Sequence, residues 1–269
     1  MRKNRIVFTG GSGRFGKIFK KIKTNYEIFF PSSKMLDIEK INKVEKYIKK
    51  IKPKYLIHCA ALSRPMKLHD KKIEKSISTN IIGTSNIVKI CSKYNIKLIY
   101  FSTNFVYPGK KGNYKENDPI LPINNYGWSK LGGESAVHLY KNSLILRVSM
   151  TEKPFLHKKA FTDLKTNFMF HDEFSKNLLK LIKYKGVINI GGKTQTVFNF
   201  VKKYNKKIKK ISAKKIYGKN YPLNQSMNTE YYKKILNKSK YFFIFFDNFS
   251  YPQPRNLIVI IIIMYIFYL

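Results

Sequence analysis

A chain of 269 residues, 43% of them hydrophobic, can build the core of one α/β domain with a small lobe attached, which excludes a globally disordered protein. The formal charge of +38 invites a nucleic-acid reading, but 47 of the 53 basic residues are lysines spread through predicted helices, with 6 arginines to supply bidentate forks. Ile, Asn, Phe and Tyr, like Lys the residues of A+T-rich codons, are also abundant, so the charge reads as compositional bias: no specific nucleic-acid partner is expected, only a field that favours anionic ligands.

Strand-like and helix-like runs alternate from the start. An apolar strand at 6–9 passes through a glycine turn into a helix at 15–23, and "YEIFF" (26–30) is a second strand. A helix over 38–51 stops at Pro53, followed by strand "YLIHCA" (55–60) and a long helix over 78–95. Strand "KLIYFST" (97–103) enters a loop with Pro108, Gly109, Gly112, Pro119 and Pro122. The helix opened by "NNYGWSKLGGE" (124–134) and strand "LILRVS" (144–149) come next. Beyond 150 the pattern predicts a helix over 171–184, a strand into a glycine turn at 186–192, a helix over 196–205, and a last helix over 226–236 capped by Asn228 or Thr229. The apolar run 257–269 falls short of the ~20 residues that span a bilayer. Peripheral membrane association, a docking or swapped strand, and an out-of-frame ending all stay open for it.

Short, near-continuously apolar strands separated by helices define the fold class: α/β, a Rossmann-type doubly wound parallel sheet with a small C-terminal part. We divide it as 1–150 for the dinucleotide-binding domain, 151–238 for a small substrate-binding part whose elements return to that core, and 239–269 for an atypical apolar tail. Ligands of such sheets bind beyond the carboxyl ends of the strands. Cys59 and Cys91 lack CxxC spacing and read as buried thiols of a reducing compartment, and the five histidines show no metal-ligand spacing. "MRKNRIVFTGG" enters a strand without the apolar stretch of a signal peptide, so the expected location is cytoplasmic.

Three constellations carry chemistry. In "TGGSGRFG", Gly10, Gly13 and Gly16 stand between the first strand and first helix, with Arg14 and Phe15 among them. Glycines there permit a tight turn and let backbone approach a diphosphate, although a glycine turn can also end an ordinary strand. In "FSTNFVYPG" (101–109), Thr103 ends a strand, either as a turn cap or as a hydroxyl facing a ligand. Tyr126 and Lys130 lie four residues apart, hence on one helix face, where a phenol and an ammonium can share one ligand. A nearby ammonium is expected to lower the phenol's pKa and so ease proton transfer near neutral pH.

In that order, the three motifs resemble the extended short-chain dehydrogenases/reductases, with GxxGxxG, the hydroxyl residue after the fourth strand, and YxxxK. "LDI" (36–38), "STNFVYPG" and "YGWSKLGGE" are most similar to the dTDP-4-dehydrorhamnose reductase group. The resemblance implies a reductase of a nucleotide-linked 4-keto sugar in nucleotide-sugar and surface polysaccharide biosynthesis, with Thr103, Tyr126 and Lys130 catalytic. It further implies that Lys130 holds the nicotinamide ribose, that Asp37 accepts from the adenine amino group, that Ala60 and Ala61 ("HCAAL") lie along the cofactor, and that Asn80 is structural. Asn104 stands where the group commonly has Asp, and the stretch after 149 is shortened and remodelled. The second strand ends "FFPSSK", with Ser32, Ser33 and Lys34 but no carboxylate to bind a ribose 2′-hydroxyl. With Arg14 facing the same pocket, this favours NADP(H) over NAD(H). A related epimerase or dehydratase and a non-catalytic cofactor-binding regulatory protein are the alternatives. No metal is expected, and a homodimer stays open.

Overall fold

Five apolar strands of the first 150 residues and one from the C-terminal third assemble into a single parallel sheet. The computed structural model describes residues 3–247. Strands β1 (Arg5–Thr9), β2 (Glu27–Phe29), β3 (Tyr55–His58), β4 (Lys97–Thr103), β5 (Ser143–Val148) and β6 (Gly186–Ile190) lie in the order β6-β5-β4-β3-β1-β2, all parallel. Every residue of β3, β4 and β5 is buried, as expected when helices cover both faces. The main connections carry helices α1 (Arg14–Phe19), α2 (Ile41–Ile51), α3 (Gly83–Lys93) and α4 (Asn125–His138).

The two-residue period of each strand sorts its side chains between two cores. Val7, Leu56, Leu98, Tyr100 and Ile145 pack with Val44 and Ile48 of α2 and Ile87 and Cys91 of α3. Phe8 joins an aromatic cluster with Phe15 and Phe19 of α1, Phe101 and Phe174, with ring centroids 5.1–5.7 Å apart at Phe8–Phe19, Phe15–Phe101 and Phe101–Phe174. From β1 the chain runs outward to β2 and then returns past it to β3. The order therefore reverses between β1 and β3, and a crevice opens there at the strands' carboxyl ends.

Several boundaries differ from the sequence reading, each for a local reason. Helix α2 starts at Ile41, not 38, because the Asp37 side chain accepts from the Glu39 N–H (3.1 Å) and turns the chain first. Helix α1 ends at Phe19, and after Lys20 the N–H groups of Lys21 and Ile22 bond three residues back, to Ile18 and Phe19. The long helix over 78–95 is π-helical through Ile77–Ile82 before α3 begins. The helix over 171–184 is two pieces, His171–Ser175 and Leu178–Leu181, broken at Asn177, whose side chain bonds back to the Glu173 carbonyl (3.3 Å). Lys159–Phe161 pairs with Lys209–Ile211, a parallel contact between three-residue strands too short to show a period.

Met1–Tyr232 form one compact unit and Lys233–Leu269 the other. All the sites below belong to the first unit. Helix Glu230–Asp247 is capped by Asn228, which accepts from the Glu230 N–H (3.0 Å), and the second unit is described only along that helix. No helix among the described residues is long and apolar enough to cross a membrane, and the apolar run 257–269 lies outside the described residues.

Candidate active site

The glycine loop is shaped by contacts that leave no room for side chains. Gly10 has φ +79°, and a Cβ there would sit 2.7 Å from the Ala60 nitrogen, while one on Gly16 would sit 2.5 Å from the Gly10 oxygen. The loop is thereby pressed against the end of β3. Beneath it, the Ala60 N–H donates to Thr9 Oγ1 (3.3 Å), and the Thr9 hydroxyl donates to His58 Nδ1 (2.8 Å). The Thr84 hydroxyl already donates to the Asn80 carbonyl (2.7 Å), so it accepts from His58 Nε2–H (3.2 Å). This chain fixes the neutral tautomer, and burial together with the nearby Lys130 holds the His58 pKa down to about 3. His58 is thus a structural post under the loop.

Helix α4 is started by Asn124, whose side chain accepts from the Gly127 N–H (2.8 Å). Gly127 lets the helix lie against Phe105, since a Cβ would fall 2.5 Å from that residue's carbonyl oxygen. The helix thus presents Tyr126 and Lys130 beside Thr103 at the end of β4. Tyr126 is half-buried, its ring 5.1 Å from His69 and 6.0 Å from Phe105. Lys130 is 2% exposed, with Nζ 4.1 Å from the centre of the Tyr100 ring. The Thr103 hydroxyl accepts from the Phe105 N–H (3.3 Å), so Thr103 is a turn cap as well as a wall residue of the cleft described next.

The electrostatics differ from the simple expectation for a phenol near an ammonium. Burial pushes Tyr126 up to about 12, against the pull of Thr103 and Arg64. Burial also drives Lys130 down to about 7, although Cys59 and Glu134 pull it up. A lysine losing its charge near neutral pH cannot act on the phenol as a full ammonium would. Lys97, buried at the start of β4, is likewise held down to about 8 by burial and by Lys185. Both lie below the ordinary lysine value, so above about pH 7 the unfolded chain binds more protons and stability should rise with pH up to about 9, where the buried Cys59 and Cys91 thiols, held above their ordinary value, begin to act the other way. Thermal unfolding at about pH 6 and about pH 9 checks the sign. A lower midpoint at the higher pH would contradict it.

One cleft of about 1950 Å³ is lined by Gly10, Gly13, Arg14, Phe15, Gly16, Ser33, Lys34, Asp37, Ala60, Ala61, Thr103, Tyr126 and Lys130. That exceeds the ~300–1,000 Å³ usual for one small ligand, so two can be held together. Ser32 is the exception among the residues singled out: it closes a turn, accepting from the Met35 and Leu36 N–H groups, and does not line the cleft. Arg14 does line it, but its guanidinium is ion-paired with Glu152 (2.5 Å), which weakens its assignment to a 2′-phosphate pocket. Among the described residues no cluster of His, Cys, Asp and Glu is arranged to hold a metal ion.

Two supports of the site go beyond the sequence reading, which gave Asn80 only a structural role and did not single out Glu134 and Arg147. Asn80 grips the loop after β3 by accepting from the Leu62 N–H (2.8 Å) and donating to the Leu62 carbonyl (2.9 Å). It also donates to Ser129 Oγ (2.8 Å), whose hydroxyl bonds the Tyr126 carbonyl (2.8 Å), so its structural role includes tying α4 to that loop. Glu134 and Arg147 form a buried ion pair below the helix face that carries Tyr126 and Lys130, with Nη2–Oε1 at 2.6 Å. Glu134 follows Tyr126 and Lys130 at the same four-residue step, and Arg147 interrupts an apolar strand; both were signals available in the sequence.

Comparison with known proteins agrees with this architecture. The family model for the RmlD substrate binding domain matches residues 4–167. A dTDP-4-dehydrorhamnose reductase of Aggregatibacter actinomycetemcomitans is 29% identical over 191 residues, covering 69% of this chain and 60% of that protein. Methionine adenosyltransferase 2 subunit beta of Xenopus tropicalis is 31% identical over 154 residues, 54% of this chain and 46% of that one. The chain thus spans less than two thirds of the length of these relatives. The crystal structure of a Bacillus anthracis dTDP-4-dehydrorhamnose reductase in complex with NADP shares the fold, with a TM-score of 0.75 and 24% identity over 84% of this chain and 90% of that one.

Proposed function

Because the chain belongs to the RmlD substrate binding domain family, we propose that it is an NAD(P)H-dependent reductase of a nucleotide-activated 4-keto sugar. The observation that carries the reading is that Thr103, Tyr126 and Lys130 line one cleft with the glycine loop, Ala60, Ala61 and Asp37. A nicotinamide dinucleotide suits the cradle, since Gly10 and Gly16 leave backbone where a side chain would block the approach. When bound, it supplies the hydride. The chain's own part is the proton: Tyr126 donates it to the carbonyl oxygen, and Thr103 hydrogen-bonds the same oxygen. With its pKa raised to about 12, Tyr126 keeps that proton at neutral pH, as an acid acting in the reducing direction must. Lys130 holds the ribose, and the fraction of it that stays protonated with its pKa held down to about 7 supplies positive charge beside the reacting oxygen. Residues 1–150 bind the dinucleotide in this reading, and 151–238 the nucleotide sugar.

Asn104, buried beside Thr103, offers an amide where a dehydratase would need a carboxylic acid or base, which disfavours that alternative. The likeness to methionine adenosyltransferase 2 subunit beta favours a second reading, a cofactor-binding subunit of another enzyme. The test is NADPH oxidation by the purified protein across a panel of nucleotide-linked 4-keto sugars. Oxidation with one member supports the reductase; cofactor binding without oxidation by any member favours the subunit.

Ser33 and Lys34 line the cleft after β2, so NADP(H) is expected to bind about tenfold more tightly than NAD(H), through one charge-assisted contact to the 2′-phosphate. Fluorescence titration of both cofactors measures the ratio. Equal or reversed affinities would remove the 2′-phosphate pocket.

A further inference from the structure

Of the charged side chains on the cleft wall that take no part in the proton chemistry, Arg14, Arg64 and Glu152 meet in one cluster. They come from the segments that follow β1, β3 and β5, so the fold has to bring them together. Arg14 Nη1 lies 2.5 Å from Glu152 Oε1, and Arg64 Nη1 lies 3.1 Å from both carboxylate oxygens. The Glu152 side chain is only 13% exposed, whereas Arg14 and Arg64 are 46% and 36% exposed. The two guanidiniums therefore remain within reach of a ligand while they hold the carboxylate.

Guanidinium forks bind carboxylates and phosphates with the same N–H···O geometry, so a carboxylate gripped by two arginines occupies a place that a phosphate can take. The charges also match. Two arginines balance the two negative charges of a diphosphate ester, and Glu152 cancels only one of them. A plain structural ion pair would need one arginine and no cleft.

We propose that Arg14 and Arg64 form a diphosphate grip on the cleft wall, with Glu152 as a built-in competitor. Glu152 keeps the guanidiniums in position and gives way when a diphosphate ester enters. The inference rests on the function proposed above, under which the cleft takes nucleotide ligands. A dinucleotide cofactor and a nucleotide sugar both carry the group, and the experiment separates them.

NADPH and uridine diphosphate are each titrated into the full chain and its variants at one fixed ionic strength, because a lysine-rich surface attracts anions by itself. Glu152→Gln is expected to tighten at least one of the two ligands about three- to tenfold, by removing two competing ion pairs. Arg64→Ala is expected to weaken the same ligand by at least about fivefold, as one charge-assisted contact is lost. Tightening in the NADPH arm alone assigns the grip to the cofactor; tightening in the uridine diphosphate arm alone assigns it to the substrate. If Glu152→Gln fails to fold, Arg64→Ala decides alone. Variants that bind both ligands as the unaltered protein does overturn the grip and leave the proposed function standing. An unaltered protein that binds neither ligand overturns both.

Discussion

Tyr126→Phe is expected to lower turnover on an active keto-sugar substrate about 10²–10⁴-fold, the usual contribution of a positioned general acid, while dinucleotide affinity stays near that of the unaltered protein. Phenylalanine keeps the ring beside His69 and Phe105, so the helix start should not shift. Only the proton is removed. Lys130→Met should depress both turnover and cofactor affinity, since under the proposed function Lys130 serves the ribose as well as the reacting oxygen. Thr103→Val should reduce turnover less than either, because one hydrogen bond to the developing charge is lost. It should also lower stability by about 1 kcal/mol, since the Thr103 hydroxyl caps the turn at Phe105. Steady-state kinetics on one substrate, with cofactor titrations beside them, check all three. Near-normal turnover in Tyr126→Phe would reduce the Tyr126–Lys130 pair to a feature of the helix face.

What could be read in the sequence follows from how local each signal is. The strands of the sheet are short apolar runs, most of them ending at polar or glycine residues such as Gly10, Asn104 and Ser149, so β1, β3, β4 and β5 lie within a residue or two of expectation. The glycine loop and the Tyr126–Lys130 step were legible because each constrains neighbours along the chain. Glu152 was not, because its partners Arg14 and Arg64 lie 138 and 88 residues away and only the fold joins them. The Tyr126 pKa was misjudged for a similar reason: spacing specifies the partner, but burial sets the larger effect, and burial is a property of the packed site. Ser32 shows the reverse limit. Its position after β2 suggested a cofactor contact, whereas its hydroxyl and carbonyl are turned onto the backbone of the next turn.

Glu134→Gln is expected to destabilise the protein by about 3–5 kcal/mol, the range for breaking a buried ion pair by neutralising one partner. Glu134 is 0% exposed and Arg147 3%, so water cannot take over for the lost charge. Burial pushes the Glu134 carboxyl up, but His138, Arg147 and Ser102 together bring it below the usual carboxylate value. Ser102 Oγ donates to the second carboxylate oxygen, and Arg147 also donates to the Tyr107 hydroxyl (2.7 Å) and the Glu116 carbonyl (2.9 Å). The Tyr107 hydroxyl in turn donates to Asn189 Oδ1 (2.9 Å) on β6. The network thus joins α4, which carries Tyr126 and Lys130, to β4, β5 and β6. A glutamine can keep the Ser102 contact but leaves the Arg147 charge buried and unpaired, the state that costs most. Because the folded carboxyl has the lower pKa, its contribution is present above the unfolded value and is lost as pH falls through the folded one. Acid unfolding of the unaltered protein should therefore steepen below about pH 4.5, and Glu134→Gln should flatten that limb. Urea unfolding at neutral pH and at acid pH measures both effects. A loss below about 1 kcal/mol at neutral pH would mean that the pair behaves as a solvent-exposed one and does not anchor helix α4 to the sheet.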